Sequence, residues 1–563
     1  MTSTTRTRRI RPNLPAGDRL GRTTLRALHR HRPMQPQTLF EYVADHVGKR
    51  PDHPVYLYEG RAISFGEIDT ESARCRGALH ELGVSPGDRV AVLMNDCPEM
   101  IVALLGIMGM GAIAVPCCTM LSPNELAYVL QDSGARCAIV GADQWPSMDA
   151  VRSRVPTLRP MLLAGPIDAP VACPIGEMPT GVIDFAQALS QAKPIPPAPL
   201  SSETLAFIIY TSGSTGNPKG AVHRHGDIPV TVEVMAREIY EMSPEERLYS
   251  GPRLYFGYGF SNSLSFPLGT GVTCILTRER ATAPVVADVL RRYRPTIFLG
   301  VPANFRALID YRDQGHGLDA RSLHFSVSAG ERLSAQLFHK WKALTGGDIL
   351  DTYGTSELLH GFITNRKGRV RPGSCGQVVR GYEIRLVDDD GRLIEGVGTG
   401  ALYVKGESAI SQYWNKPQET AKAIQDGWVR TGDIYRRDKD GFYFFEGRVD
   451  DTFKSSGMWV SPSEIEEVLC SHAAVHESAV ISEPGPGGDN IVVAFVALRK
   501  GHIPGDALRE DILSCAAQSL SRYKRPSTVR FASHLPRTPT GKVQRFKLRA
   551  MFKQPDESLP LAG

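Results

Sequence analysis

A loop rich in glycine, serine and threonine is the part of this sequence best suited to chemistry. It reads Tyr210-Thr-Ser-Gly-Ser-Thr-Gly-Asn-Pro-Lys-Gly220 and follows an apolar run, residues 204–210, that predicts a strand. Glycines let backbone N–H groups converge on an anion, hydroxyls add donors, and a lysine adds positive charge. The loop therefore predicts a polyphosphate site made by Thr211, Ser212, Gly213, Ser214, Thr215, Gly216 and Lys219.

Two common nucleotide-binding loops do not match this one. The Gly-x-x-x-x-Gly-Lys-Ser/Thr loop needs a Gly-Lys-Ser or Gly-Lys-Thr tripeptide, which the sequence lacks. The Gly-x-Gly-x-x-Gly pattern of dinucleotide-binding folds is also missing from the loop. A flexible serine-glycine linker is the plain alternative, but a linker would not normally follow an apolar strand and end in Pro-Lys-Gly.

Further motifs follow the loop along the chain. In order, they are Ser328-Ala-Gly-Glu331, Asp351-Thr-Tyr-Gly-Thr-Ser-Glu357, Arg430-Thr-Gly-Asp433, Gly447-Arg-Val-Asp-Asp451 with Lys454, Gly457 and Pro462-Ser-Glu-Ile-Glu466 behind it, and Pro536-Arg-Thr-Pro-Thr-Gly-Lys542. Together with the loop, and across roughly residues 38–549, they resemble the adenylate-forming enzymes, which include acyl-CoA synthetases, peptide-synthetase adenylation domains and luciferases.

The resemblance implies an ATP site and a first reaction step in which an acid becomes an acyl-AMP. It assigns Lys542, Glu357 and Ser356 to catalysis: Lys542 would bridge the acid and the α-phosphate, Glu357 would hold Mg²⁺, and Ser356 would touch the α-phosphate. The family often has threonine at the position of Ser356. The remaining ATP-binding residues would be Ala329, Gly330, Glu331, Asp351, Tyr353, Gly354, Thr355, Asp433 and Arg448, with Tyr353 stacked on adenine and Asp433 on the ribose hydroxyls.

The same resemblance implies a second step in which a thiol attacks the acyl-AMP. The C-terminal domain would rotate about Asp450 in a hinge mechanism. The loop of Lys542 would then leave the active site, and another face of the same domain would take its place. That face would bind CoA through Lys454, Ser456, Gly457 and Trp459. Gly457 suits a close approach of the pantetheine arm to backbone, although a simple turn glycine is the alternative.

Two stretches are similar to the benzoate-CoA ligase branch, Leu254-Tyr-Phe-Gly-Tyr-Gly-Phe260 with Asn262, and Ser356-Glu-Leu-Leu-His-Gly-Phe362. They imply an aryl or other ring acid, bound by Phe256, Gly257, Tyr258, Gly259, Gly330, His360 and Gly361. The branch tends to have alanine at the position of Gly257 and a branched apolar residue at that of Gly361. If neighbouring residues leave that space open, the pocket suits a bulkier acid than benzoate, such as a polycyclic one.

The elements that must position these motifs alternate between helix and strand patterns, as in α/β folds. Helices are predicted at residues 67–82, 99–110 and 124–133, and strands at 88–94, 112–117, 135–140, 296–300, 323–329, 383–387 and 400–405. We expect an α/β fold: a large N-terminal domain (37–449) of two doubly wound α/β subdomains plus a β-rich subdomain, and a small mobile α+β C-terminal domain (450–563).

The charge distribution excludes a broad nucleic-acid surface. The 563 residues carry a net charge of +5, but residues 1–33 hold nine arginines and one acidic residue, which leaves −3 for the rest. Residues 1–36 predict a disordered arginine-rich arm, with an organellar transit peptide as the alternative. The 10 cysteines are scattered and form no Cys-x-x-Cys pair, which favours reduced thiols.

Residues 100–123 contain no charged side chain, but three glycines and Pro116 favour a buried helix and strand over a membrane span. We therefore expect a cytoplasmic enzyme, monomeric or homodimeric, that uses ATP, Mg²⁺ and coenzyme A. Alternatives are transfer of the acid to a carrier-protein phosphopantetheine in trans, a luciferase-like oxygenase, and a non-catalytic nucleotide-binding relative. The presence of Lys219, Glu357, Asp433 and Lys542 argues against the last of these.

Overall fold

The structure of the protein is a computed structural model. It describes residues 36–165, 178–211, 217–449, 453–455, 458–460, 462–484, 490–537 and 543–552. The predicted arm, apart from Pro36, and the predicted hinge Asp450 lie outside the described residues. Within the described ranges the chain has the mixed α/β fold, with several sheets and a separate C-terminal domain, that the sequence predicts.

The first large sheet has seven strands, six of them parallel. The seventh, Lys219–Arg224, is an edge strand that runs antiparallel to its neighbour Leu205–Thr211, and the phosphate loop connects these two strands. The strands are, in spatial order, Val182–Asp184, Met161–Ala164, Cys137–Gly141, Arg89–Leu93, Ile113–Pro116, Leu205–Thr211 and Lys219–Arg224.

The second large sheet has nine strands, of which the central six are parallel. Residues 296–300 and 323–329 were predicted as strands, and the structure shows Ile297–Gly300 and Phe325–Ala329 paired in parallel. The strands are, in spatial order, Gln377–Val378, Gly361–Thr364, Asp348–Gly354, Phe325–Ala329, Ile297–Gly300, Arg247–Ser250, Thr273–Leu276, Pro54–Tyr58 and Arg61–Ser64.

Helices connect and cover these sheets. Several begin where local sequence favours a helix start: Ser64 with Glu67, and Ser122 with Glu125, form reciprocal capping boxes. The helices of this part of the chain are Leu39–Lys49, Phe65–Glu81, Pro98–Gly109, Pro123–Ser133, Trp145–Arg152, Phe185–Gln191, Asp227–Thr231, Val232–Ile239, Gly257–Phe260, Ser261–Ser265, Phe266–Thr270, Ala283–Tyr293, Pro302–Asp313, Ala335–Thr345 and Pro417–Ala423.

The uncharged segment at residues 100–123 is a core element. Its helix, Pro98–Gly109, is buried along its whole length, and the strand Ile113–Pro116 lies inside the seven-stranded sheet. Among the described residues, no helix has both the length and the apolar character needed to cross a membrane.

A separate five-stranded sheet forms the predicted β-rich subdomain. Its strands are Tyr382–Val387, Gly398–Gly406, Ile424–Gln425, Trp428–Arg437 and Tyr443–Arg448. The pairing of the last two places Asp433 opposite Arg448. In the C-terminal part, Val475–Pro484, Asn490–Leu498 and Thr528–Phe531 form one sheet, Phe453–Ser455 and Met458–Val460 form a hairpin, and the helices are Pro462–Cys470, Asp506–Ser519 and Arg545–Phe552.

Candidate active site

The two ends of the phosphate loop are brought together by strand pairing. Thr211 ends one strand, Lys219 begins the next, and the two residues are register partners. The Thr211 hydroxyl donates to the Lys219 carbonyl oxygen at 3.4 Å. The predicted phosphate ligands between them, Ser212, Gly213, Ser214, Thr215 and Gly216, lie outside the described residues, so their part in the site stays a prediction.

The turn that carries Glu357 lies beside this loop. Strand Asp348–Gly354 passes into a short 3₁₀ turn, Ser356–Leu358, and the chain returns as strand Gly361–Thr364. The Tyr413 hydroxyl donates to Glu357 Oε1 at 2.7 Å. The predicted metal ligand is therefore held by a tyrosine that lies far from it in the sequence.

His223 fixes the backbone of the same turn from the other sheet. The ring is fully buried, and its Nε2 lies 2.8 Å from the carbonyl oxygen of Ser356. Its Nδ1 lies 3.0 Å from Asp227 Oδ2, and Asp227 Oδ1 accepts from the Arg224 guanidinium. Strand Lys219–Arg224, which continues from the phosphate loop, thus positions the turn that holds Ser356 and Glu357.

The predicted adenine-binding residues lie at the carboxyl ends of neighbouring parallel strands, where ligands of open α/β sheets bind. Ser328 is the register partner of Asp351, and Ala329 is the partner of Thr352. Gly330 and Glu331 follow directly after Ala329, and Tyr353, Gly354 and Thr355 follow Thr352. Burial raises the pKa of the Asp351 carboxyl well above its usual range, which favours the neutral acid.

Three residues predicted to bind ATP, among them the predicted ribose ligand Asp433, form one hydrogen-bonded group. Arg448 Nη1 donates to Asp433 Oδ1 at 2.9 Å, and the Tyr353 hydroxyl donates to Asp433 Oδ2. Burial and the nearby Asp433 carboxylate raise the pKa of Tyr353, so that its hydroxyl remains a donor. The structure therefore brings together three side chains from three different motifs.

His360 is the centre of the predicted acid pocket. Its ring centroid lies 5.3 Å from that of Tyr258 and 4.8 Å from that of Phe266. Burial lowers the pKa of His360 to about 3, so the ring is neutral near pH 7. Its Nε2 lies 3.3 Å from Asn262 Oδ1, and the Asn262 amide nitrogen donates to Ser250.

The segment that leads into Phe256, Gly257, Tyr258 and Gly259 is anchored by a buried carboxylate. Asp96 accepts from the backbone N–H of Leu254 at 3.1 Å and lies 3.8 Å from the Arg253 guanidinium. Burial raises the pKa of Asp96 to about 6 in spite of that guanidinium. The anchor fixes where the short helix Gly257–Phe260 begins.

The space beside Gly361 is occupied and the space beside Gly257 is tight, so the two glycines do not by themselves supply the extra pocket volume that the sequence suggested. A Cβ on Gly361 would lie 2.2 Å from the Thr352 γ-methyl and 3.2 Å from the Met235 ε-methyl. A Cβ on Gly257 would lie 3.2 Å from the carbonyl oxygen of Leu359. The expected extra volume depended on empty space around these glycines, and the neighbouring atoms fill it.

The C-terminal domain faces the adenine side of this site. Arg332 Nη2 lies 2.9 Å from Glu467 Oε2, and Arg537 Nη1 lies 3.8 Å from Glu331 Oε1. Arg537 belongs to the motif that ends at the predicted catalytic Lys542. Lys542 itself lies outside the described residues, so its position in the site stays a prediction.

The predicted CoA-binding face is described in part. Lys454 and Trp459 are register partners in the hairpin of the C-terminal domain. Ser456 and Gly457, which connect the two strands, lie outside the described residues, as does the hinge residue Asp450. Sequence reasoning missed Tyr413, His223 and the Arg332–Glu467 pair, because their roles depend on contacts between distant segments that no local pattern reveals.

Comparison with known proteins identifies the family. The family model described as AMP-binding enzyme matches residues 43–414, and the model described as AMP-binding enzyme C-terminal domain matches residues 464–542. The chain belongs to the AMP-binding enzyme family. This confirms the resemblance to adenylate-forming enzymes that the sequence motifs carry.

Its relatives include enzymes that act on aromatic acids. The benzoate–CoA ligase of Thauera aromatica is 37% identical over 500 residues, which is 88% of this chain and 92% of that protein. The crystal structure of the anthranilate CoA ligase AuaEII in complex with anthranoyl-AMP has a TM-score of 0.85 and 34% identity, and covers 93% of this chain and 98% of its own. A benzoate CoA ligase from Burkholderia xenovorans LB400 has a TM-score of 0.82 and 32% identity, with 91% and 99% covered.

Proposed function

We propose that this chain is an AMP-forming aryl acid:CoA ligase that acts on a single-ring acid of the benzoate type. The observation that carries the proposal is that Lys219, Glu357 and the Asp433 group, which come from three sheets, are linked through Tyr413 and Tyr353 beside the aromatic surroundings of His360. Relatives named as CoA ligases for benzoate, hydroxybenzoate and anthranilate support an aryl acid as the substrate class.

In the first step a carboxylate oxygen of the acid attacks the α-phosphorus of ATP, and the bond to pyrophosphate breaks. Both reactants are anions, so the site must offset their repulsion through preorganised charges and donors. We assign the register partners Thr211 and Lys219 to the leaving phosphates, and Asp433, which Arg448 and Tyr353 hold, to the ribose. We assign the bridging cation between acid and α-phosphate to Lys542.

Glu357 fits a magnesium ion that takes most of its ligands from the nucleotide. Its Oε1 accepts from Tyr413, which leaves Oε2 for a metal. No group of three or more His, Cys, Asp or Glu side chains able to hold a metal occurs in the described ranges. A single carboxylate with phosphates and water is a common setting for Mg²⁺. When bound, Mg²⁺ would draw charge away from the phosphates.

In the second step the thiol sulfur of CoA attacks the acyl carbon, and the bond to AMP breaks. We assign Lys454, Ser456, Gly457 and Trp459 to this step, after rotation about Asp450. The Lys454–Trp459 pairing in a hairpin is compatible with their acting on one surface. The contacts of Arg537 and Glu467 with residues 331 and 332 correspond to the orientation expected for the first step.

The filled space around Gly361 and Gly257 favours a single aromatic ring over a polycyclic acid. Tyr258 and Phe256 supply flat walls, and such walls suit an aromatic ring. Transfer to a carrier-protein thiol in trans is the alternative for the second step, and the CoA ligase relatives favour CoA. A cytoplasmic location and a monomeric or homodimeric state stay predictions.

The test is acid-dependent release of pyrophosphate from ATP with a panel of benzoates, amino- and hydroxybenzoates and larger ring acids, with and without CoA. We expect release with a single-ring acid, and formation of the acyl-CoA only when CoA is present. A clear preference for polycyclic acids would contradict the filled pocket. Absence of release with every acid, despite ATP binding, would contradict the ligase.

A further inference from the structure

Residues 408–414 form a loop segment that connects the strand after the phosphate loop to the Glu357 turn by hydrogen bonds. The backbone N–H of Trp414 donates to the carbonyl oxygen of Gly220 at 2.8 Å, and Tyr413 bridges to Ala221. At the other end of the segment, the N–H of Ile410 donates to the carbonyl oxygen of Glu357 at 2.9 Å. One short segment therefore fixes two parts of the site that are distant in sequence.

The side chain of Tyr413 lies between the two charged residues of that site. Its hydroxyl donates to Glu357 Oε1 at 2.7 Å, and Lys219 Nζ lies 5.6 Å from the centroid of its ring. The side chain is 8% exposed and packs with Ala221 and Ile410. Its hydroxyl touches a carboxylate oxygen while its ring face meets a cation.

We propose that Tyr413 is a positioning residue that orients Glu357 toward the metal of Mg·ATP and holds Lys219 toward the phosphates. This inference rests on the proposed function, because it takes Glu357 as the ligand of the nucleotide-bound metal. In this role Tyr413 would touch neither ATP nor the acid. It acts through the two residues that it holds.

A physical reason supports each contact. A carboxylate on a glutamate chain can rotate, and a fixed hydrogen bond to one oxygen selects the orientation in which the other oxygen faces the metal. The Tyr413 hydroxyl is buried and lies 2.7 Å from Glu357 Oε1, which fixes the direction of this hydrogen bond. The ring face attracts the Lys219 ammonium and restricts where it can go.

The main test is the Kd of ATP, measured by calorimetry with Mg²⁺ and with EDTA, for the wild type and Tyr413→Phe. Phenylalanine keeps the ring below Lys219 and removes only the donor to Glu357. We expect an unchanged Kd in EDTA and a gain in affinity from Mg²⁺ that is about 10–100-fold smaller, the usual effect of losing an outer-shell partner. Tyr413→Leu should also weaken binding in EDTA, by about two- to fivefold, because the ring is lost.

Tyr42→Phe is a matched control. The Tyr42 hydroxyl donates to Glu233 Oε1 at 2.6 Å, and the Arg237 guanidinium lies 5.2 Å from its ring centroid. This tyrosine has the same two kinds of partner outside the predicted site. We expect Tyr42→Phe to leave both dissociation constants at their wild-type values.

A double-mutant cycle with Glu357→Gln tests whether Tyr413 acts through Glu357. If it does, Tyr413→Phe adds nothing to the loss already caused by Glu357→Gln. An equal loss in Mg²⁺ and EDTA, no loss at all, or a full additional loss in the Glu357→Gln background would overturn the inference while leaving the metal ligand in place. If Glu357→Gln keeps the whole gain from Mg²⁺, the metal assignment in the proposed function fails, and the inference fails with it.

Discussion

Adding one methyl group at Gly361 should damage the acid pocket, because the space beside it is taken. The Cβ of Gly361→Ala would lie 2.2 Å from the Thr352 γ-methyl. Carbon atoms pack at about 3.5–4.0 Å, so one group must move by about 1.3 Å or more. Overpacking of this kind costs about 1–3 kcal/mol, and a shift of that size at a reacting site costs up to about 100-fold in rate.

The backbone beside Gly361 carries His360, so a shift is expected to reach the acid. We expect kcat/KM for the preferred acid to fall about 10–100-fold, with the Kd of ATP within about twofold of the wild type. The assay is pyrophosphate release at varied acid concentration, with ATP binding measured separately. A thermal unfolding midpoint for each variant separates pocket damage from global instability.

Thr352→Ser offers a matched compensation. It removes the γ-methyl and keeps the hydroxyl, which hydrogen bonds to Thr364 Oγ1 at 2.6 Å and to the Tyr240 hydroxyl at 3.2 Å. The double variant Gly361→Ala with Thr352→Ser should recover most of the lost kcat/KM. Wild-type activity in Gly361→Ala alone, or an equal defect in the double variant, would refute the conclusion that the space beside Gly361 is filled. The hypothesis of a bulkier acid substrate would then stand again.

Three further outcomes are expected. Arg448→Gln removes the cation from the nearly buried Asp433 and should weaken ATP binding about tenfold, measured by calorimetry; an unchanged Kd would contradict the ribose assignment. Burial lowers the pKa of His360 to about 3, so below about pH 6.5 the unfolded chain gains a proton that the folded chain does not. The free energy of unfolding therefore decreases as the pH is lowered, by at most about 1.4 kcal/mol per pH unit between those two values. His360→Gln should flatten that slope in unfolding measurements from pH 7 to pH 5, and an unaltered slope would argue for a charged ring. Glu467→Gln breaks a half-exposed pair with Arg332 and should slow pyrophosphate release by less than about fivefold, while thioester formation from added acyl-AMP stays unchanged; the reverse pattern would contradict its role in the first step.

The sequence predicts many elements within two residues because their signals are local. The helix predicted at 99–110 is Pro98–Gly109, and the one predicted at 124–133 is Pro123–Ser133. Apolar periodicity marks the buried face, and capping residues mark the first turn. The short apolar runs near residues 297 and 325 predicted buried strands, and both are strands of the nine-stranded sheet.

The contacts that complete the site could not be predicted in this way. Tyr413 and Glu357 are separated by 56 residues, and their hydrogen bond depends on how a loop segment lies against an edge strand. The missing side chain at Gly361 suggested extra pocket volume in the sequence. That space is filled by Thr352 from a neighbouring strand and Met235 from a separate helix, which the sequence around Gly361 does not reveal. Side-chain volume is a property of the packed site, so one position cannot determine it.

Glu331 and Arg332 are adjacent, carry opposite charges, and meet partners of opposite sign in the C-terminal domain. Glu331 faces Arg537 at 3.8 Å and Arg332 faces Glu467 at 2.9 Å. Both ion pairs are present in this placement of the domain and are lost when the domain moves away, so both contribute to holding it there. Such partly exposed pairs are screened over about 10 Å at 0.1 M salt. Ionic strength therefore becomes a control on how long the domain stays in this placement, and high salt should shorten its stay.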